Sequence, residues 1–264
     1  MIQFDLHRFG RLYKWTLVQD KSYYIRMTLQ MLVISLLTFL FFTTIVNFGD
    51  GDIQMRCRTS FNACAGLSIL IMIASVVIGP STMFHSMKGK HDRQALLLLP
   101  SSNFEKYLVR YLVWVLLLPL YAAALLLADV LQYAIHGMLG STYNQLVVSV
   151  LADRVSTVVA QWSEIPSKIQ FMLILILLWI HSWYALGATF FRSRKFSFIY
   201  ATFVWIGLSV LLDWLCPNKV SLNANSTVMT CLYGAFWGVM IILNFWLSYR
   251  CFCRTQVIGK FVNF

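Results

Sequence analysis

Chemistry needs side chains of the right type held at the right spacing, and this chain offers few such groupings. Nucleotide binding would need a G-x-x-x-x-G-K-[ST] loop, but Gly89-Lys90 and Gly259-Lys260 lack both the first glycine and the hydroxyl. No H-E-x-x-H is present for a zinc protease. His181-Ser182 is the one candidate base and nucleophile inside an apolar segment. Neighbours on a helix point about 100° apart, so they cannot form the needed pair with each other. Gly207-x-Ser209 lacks the rest of a nucleophile elbow. Cys251-x-Cys253 has no nearby histidine and no second pair, which makes it a poor zinc site. The chain therefore reads as a non-enzyme, with no catalytic, metal-binding or cofactor-binding residues of its own.

The most informative polar segment is the connection after the second apolar run. It passes from Gly79-Pro80 through Ser86-Met87-Lys88-Gly89-Lys90-His91-Asp92-Arg93 to Leu96–Leu99, Pro100 and Ser101-Ser102-Asn103-Phe104-Glu105-Lys106. Ser102 and Glu105 have the S-x-x-E spacing of a capping box. The serine hydroxyl accepts from an orphan N–H of the first turn, and the glutamate reaches back to the N–H at the cap. Pro100 disfavours helix at Leu99. A helix is predicted to start near Asn103 and to run unbroken into the third span. The four leucines are apolar yet lie outside any span, so they should pack on their own bundle or on a partner protein. Alone, a capping box marks only a helix start. A short amphipathic segment here would also be what a cytoplasmic motor could grip, the alternative being a solvated loop.

These residues must be positioned by six long apolar elements. Uncharged runs occur at Met27–Val46, Ala63–Phe84, Tyr111–Ala128, Ile169–Phe191, Phe196–Leu212 and Val228–Tyr249. A bilayer core needs about 20 apolar residues per helix, and a soluble chain of 264 residues that is 59% hydrophobic could not bury six such runs in one core. The expected fold is an all-α membrane protein, a single domain with spans at about 25–46, 63–84, 108–135, 169–191, 196–216 and 228–249. Residues 1–24 precede the first span and 250–264 form a tail.

Orientation follows from the basic residues between spans. Sixteen Lys and Arg lie in the N-terminal segment, the second and fourth connections and the tail; five, namely Arg56, Arg58, Arg154, Lys168 and Lys219, lie on the other side. The positive-inside bias places both termini in the cytoplasm, and an even number of crossings agrees with the two ends lying on one side. The net charge of +11 is explained by these flanks meeting anionic headgroups of membrane lipids. No contiguous basic surface points to nucleic acid.

The first run reads as a retained span, because some 26 residues containing Asp5 and Asp20 precede it and no small-x-small site follows. In residues 1–21, Ile2, Leu6, Phe9, Tyr13 and Leu17 recur at helical spacing with Arg8, Arg11 and Lys14 opposite. That suits an amphipathic helix in the inner interface, although Phe4 and Trp15 fall on the charged side; the alternative is a plain basic lead-in. Residues 136–168 hold a second stripe, Val147, Leu151, Val155, Val158 and Trp162. It reads as an amphipathic helix on the outer face, either capping the bundle or merely joining two spans. Charge inside the spans is sparse. Asp129 and Asp213 lie at outer ends, and His181 alone sits near mid-depth, more in keeping with a packing residue than a proton relay. Cys216 and Cys231 lie near outer ends of spans, where a disulfide is one reading and free, packed cysteines the preferred one.

The segment Leu96-Leu97-Leu98-Leu99-Pro100-Ser101-Ser102-Asn103-Phe104-Glu105-Lys106 resembles the "LP-[AS]-S-x-x-E-K" element of membrane subunits of bacterial ABC-2 type transporters. The ending Phe252-Cys253-Arg254-Thr255-Gln256-Val257-Ile258-Gly259-Lys260-Phe261 is similar to their basic-aromatic tail. The resemblance implies a permease in the bacterial inner membrane, paired with an identical or different second permease half and with cytoplasmic ABC ATPase subunits. It implies a coupling helix over Met87–Glu105, contacting the ATPase through Met87, Lys88, Lys90, His91, Asp92, Arg93, Leu97, Leu98, Leu99, Pro100, Ser102 and Glu105. It also implies an interface helix carrying Phe9, Arg11 and Tyr13. One departure stands out: the long outer loop lies between the third and fourth spans, while Pro217–Thr227 between the fifth and sixth is short. The expected function is ATP-driven transport, with export of a lipid-like, peptide or amphipathic substrate. The alternatives are an ion-coupled secondary transporter, for which His181 or Asp129 would be essential, and a non-transporting membrane scaffold or regulatory subunit.

Overall fold

In a computed structural model of the chain, residues 4–45, 53–85, 94–96, 98–139, 144–191, 196–215 and 227–254 are described. The helices are α1 (Leu6–Gln19), α2 (Lys21–Ile45), α3 (Ile53–Ile78), α4 (Asn103–Met138), α5 (Val147–Glu164), α6 (Ser167–Phe190), α7 (Ser197–Leu215) and α8 (Thr227–Cys253), with a 3-10 turn at Gly79–Thr82. Among the described residues no strand occurs. Five helices, α2, α3 with its 3-10 turn, α4, α6 and α8, are long and apolar enough to cross a membrane. Only 11% to 33% of each crossing window is buried by the chain itself. The rest is apolar surface that water would penalise, so this is a multi-pass helical membrane protein. The sixth expected span, 196–216, corresponds to the shorter α7.

Several boundaries differ from the sequence reading. α3 begins ten residues before the uncharged run and carries Arg56 and Arg58 on its first turns. α4 has 36 residues, about 54 Å at 1.5 Å per residue, against a hydrocarbon core of about 30 Å. The tail expected from 250 is helical to Cys253. At Pro80 the α-helix gives way: α3 stops at Ile78 and the chain tightens into the 3-10 turn, where proline suits an early position. Pro166 holds Ile165 extended (φ −72°, ψ 133°) and so separates α5 from α6.

The chain forms two compact units. One comprises residues 1–18, 76–114 and 167–264. Its centre is α6, which packs along α8 and against α7 and the 3-10 turn. The last three turns of α6 present small residues inward, Ala185, Gly187 and Ala188, which lets helices approach closely where no aqueous hydrophobic force drives association. A Cβ on Gly187 would lie 2.6 Å from that of Ala201 on α7. Across the same contact Trp183 Nε1–H donates to the Ala201 carbonyl at 3.0 Å, and the Tyr184 and Thr202 hydroxyls meet at 3.0 Å. Gly187→Leu is therefore expected to cost about 1–3 kcal/mol through overpacking, read as a lower unfolding temperature in detergent. Gly207→Leu should be nearly neutral, because nothing lies within 4 Å of its added carbon.

The second unit comprises residues 19–75 and 115–166. Its core joins Phe39 of α2, Phe61, Cys64 and Ala65 of α3, Ala128 of α4 and Val147 of α5. The stripe expected on α5 is buried only at its start: Val147 is 2% exposed, whereas Val155, Val158 and Trp162 are exposed. The sequence at Leu146 supplies no side-chain cap for this helix. Asp129 supplies it from α4, accepting from the Val147 N–H at 2.7 Å and the Val148 N–H at 2.8 Å with its two oxygens. The carboxylate thus meets orphan donors and the positive end of the helix dipole together.

Candidate functional site

The capping box forms as read. The Glu105 N–H donates to Ser102 Oγ at 3.2 Å, and the Ser102 N–H donates to Glu105 Oε2 at 2.9 Å. Glu105 does more than cap. It is fully buried, and its carboxylate also receives Arg8 Nε at 2.9 Å, Arg8 Nη2 at 2.5 Å and the Asp5 N–H at 2.8 Å. This two-pronged, charge-assisted pair is stronger and more directional than a neutral hydrogen bond. Asp5 Oδ1 in turn accepts from the His7 N–H at 2.8 Å, capping α1. One carboxylate therefore ties the start of α1 to the start of α4.

Aromatic rings surround this ion pair. Phe4 packs on Phe9 at 5.7 Å and Phe104 at 6.0 Å between ring centroids. Phe104 and Tyr107 meet Tyr249 of α8, and Phe252 stacks on Phe84 at 5.5 Å with planes 18° apart. Deeper along α4, the Tyr107 hydroxyl donates to Ser248 Oγ at 2.9 Å, and that hydroxyl donates to the Ala185 carbonyl at 3.1 Å. α1, α4, α6 and α8 are thereby locked at one end of this unit.

The interface-helix residues take mixed positions. Phe9 and Tyr13 are half-buried and Arg11 is exposed. The inward line is not the expected stripe: Leu12 and Thr16 are buried while Leu6 is exposed. Arg8 and Phe4, placed by periodicity on the charged side, are the residues that dock α1. An ion-pair partner 97 positions away cannot be read from helical spacing. Lys106 and Arg110, read as flanks meeting headgroups, are both buried.

Of the coupling residues expected from the resemblance, Met87, Lys88, Lys90, His91, Asp92, Arg93 and Leu97 lie outside the described residues. Leu96 is fully buried and Leu99 half-buried, so part of the leucine run packs on its own bundle. Leu98 points outward, 83% exposed in a helical position, and Pro100 is exposed.

His181 is engaged at both nitrogens. Nδ1–H donates to the Val76 carbonyl at 2.8 Å, which leaves Nε2 to accept from the Tyr111 hydroxyl at 2.6 Å. Its ring lies 5.1 Å from that of Trp114, whose indole is so close to Gly79 that a Cβ there would approach to 2.7 Å. Ser182 turns elsewhere, donating to the Trp179 carbonyl at 2.7 Å and accepting from Asn244 Nδ2 at 3.0 Å. The adjacent pair makes no nucleophile–base contact. Among the described residues no three His, Cys, Asp or Glu side chains converge to hold a metal ion. Cys231 is free and exposed, and Cys216 lies outside the described residues.

Fold and site together define a polytopic helical membrane protein whose polar contacts lock helix ends. The chain matches no family model, no curated protein and no solved structure.

Proposed function

We propose that the chain is the membrane-spanning permease subunit of an ATP-driven transporter, an exporter of a lipid-like, peptide or amphipathic substrate. In this reading it sits in a bacterial inner membrane, pairs with a second permease half and is energised by a separate cytoplasmic ABC ATPase. α7, with 19 residues, spans about 28 Å and makes the sixth crossing, which returns both termini to the cytoplasm.

The observation that carries the reading is Leu98. A large apolar side chain is left uncovered by its own chain just before Leu99-Pro100 and the capped start of α4. Burial in a partner would remove an unfavourable surface, and a push there would reach α1 and α4 through Glu105. The ion-coupled alternative gains nothing comparable: Asp129 and His181, its expected relays, each hold two hydrogen bonds that support packing.

The test is purification from the native membrane followed by mass spectrometry and ATP hydrolysis. An ATPase bearing a Walker A loop should co-purify, and Leu98→Glu should weaken that association about tenfold, the equivalent of about 1.4 kcal/mol, while membrane insertion stays intact. A stable protein purified without any ATPase, or one whose ATPase ignores Leu98→Glu, refutes the reading.

A further inference from the structure

Two cavities border α5 in the second unit, one charged and one apolar. The first, about 470 Å³, is bounded by α3 and α5 and lined by Arg58, Asn62, Gln145, Asp153, Arg154 and Thr157 over a floor that includes Phe61 and Val150. Arg154 Nε–H donates to Asn62 Oδ1 at 3.2 Å. Neither arginine forms an ion pair with Asp153, although all three border the same space. Two guanidiniums against one carboxylate leave a net positive charge, and forked guanidinium donors match phosphate oxygens.

The second cavity, about 240 Å³, is bordered further along the same two helices by Ser68, Met72 and Leu151, with Leu125, Leu126 and Asp129 from α4. From Asn62 to Ser68 the rise along α3 is about 9 Å. The two polar side chains here are already committed: Ser68 Oγ donates to the Cys64 carbonyl at 2.9 Å, and Asp129 caps α5. What remains for an occupant is an apolar wall. The outer turns of α5 carry exposed Val155, Val158, Val159 and Trp162, as a helix lying at a bilayer interface does.

We infer that α3 and α5 hold one membrane phospholipid, its phosphodiester between Arg58 and Arg154, its headgroup ammonium toward Asp153, and an acyl chain in the apolar cavity. Phosphatidylethanolamine has this chemistry. The site requires only that the chain is embedded in a bilayer and stands apart from the transport reading.

Native mass spectrometry of the full chain, released from nanodiscs of phosphatidylethanolamine and phosphatidylglycerol, tests it. One phosphatidylethanolamine per chain should be retained, with R58Q/R154Q lowering the retained fraction about tenfold. D153N should abolish the preference over phosphatidylglycerol. R154K, which keeps the charge but not the fork, should fall between. Circular dichroism identifies an unfolded variant, and R154K then carries the comparison. Neither inorganic phosphate nor chainless glycerophosphoethanolamine should displace the lipid at millimolar concentration. Displacement by either would show a site for a soluble anion and overturn the lipid assignment, as would undiminished retention in R58Q/R154Q.

Discussion

Glu105→Ala should release α1 from the protein, raising the rate of tryptic cleavage at Arg8, Arg11 and Lys14 at least tenfold while the spans stay inserted. Four hydrogen bonds converge on that carboxylate, two from Arg8 and one each from the Asp5 and Ser102 N–H groups. Removing it takes away the shared acceptor of Arg8 and of two backbone donors at a site where the carboxylate is fully buried and Arg8 is partly exposed. Loss of one member of a buried set costs more than the net worth of the set, because the remaining groups stay desolvated. Ser102→Ala removes only the acceptor for the Glu105 N–H and should cost about 1 kcal/mol without freeing α1. Glu105→Gln keeps one acceptor oxygen but turns the other towards its donors as an NH2 group, and should lose less than the alanine variant. Arg8→Ala and Glu105→Ala should be strongly non-additive in a double-mutant cycle. Simple additivity, or unchanged proteolysis, would mean that α1 is held by the aromatic contacts alone. If the transport reading is right, Glu105→Ala also lowers coupled ATP hydrolysis, because the grip at Leu98 would no longer reach α1.

Asp129→Ala is expected to unfasten α5 from the second unit. The carboxylate is 3% exposed and each of its oxygens takes a backbone N–H of the first turn of α5. Hydrogen bonds to a charged acceptor contribute about 1.5–3 kcal/mol each, so the expected loss is about 3 kcal/mol or more in unfolding free energy. Hydrogen exchange at Val147 and Val148 should accelerate first. Asp129→Asn keeps one acceptor and should lose less. The ion-coupled alternative makes the opposite demand: Asp129→Asn would abolish transport with stability and exchange unchanged. Wild-type exchange at Val147 in the alanine variant would remove the capping role.

Both predictions rest on contacts whose legibility in the sequence differed. The capping box was readable because its partners lie three residues apart, where local geometry decides the outcome. Its second use was not, since Arg8 and Glu105 are 97 positions apart and nothing in either segment names the other. The same holds for Asp129, which reads as a charge near a span end until α5 is seen to begin without a cap of its own. His181 stands out in its apolar run, yet Tyr111 and the Val76 carbonyl that hold it lie on other segments. Periodicity could not name what docks α1, because the partners of Arg8 and Phe4 lie on a segment far along the chain. In α5 the apolar face is covered at its first turns and left open beyond.

By itself the sequence determined that the chain is helical and membrane-embedded, and where the long helices and the capped start of α4 lie. Those properties depend on composition and on neighbours within one or two turns, where hydrophobicity and hydrogen-bonding needs act directly. Only the tertiary structure decided which charged residues are consumed as locks, that Leu98 faces outward, and that α3 and α5 border both a charged and an apolar cavity. Such pairings bring together groups distant along the chain, and their energy exists only once the helices have packed.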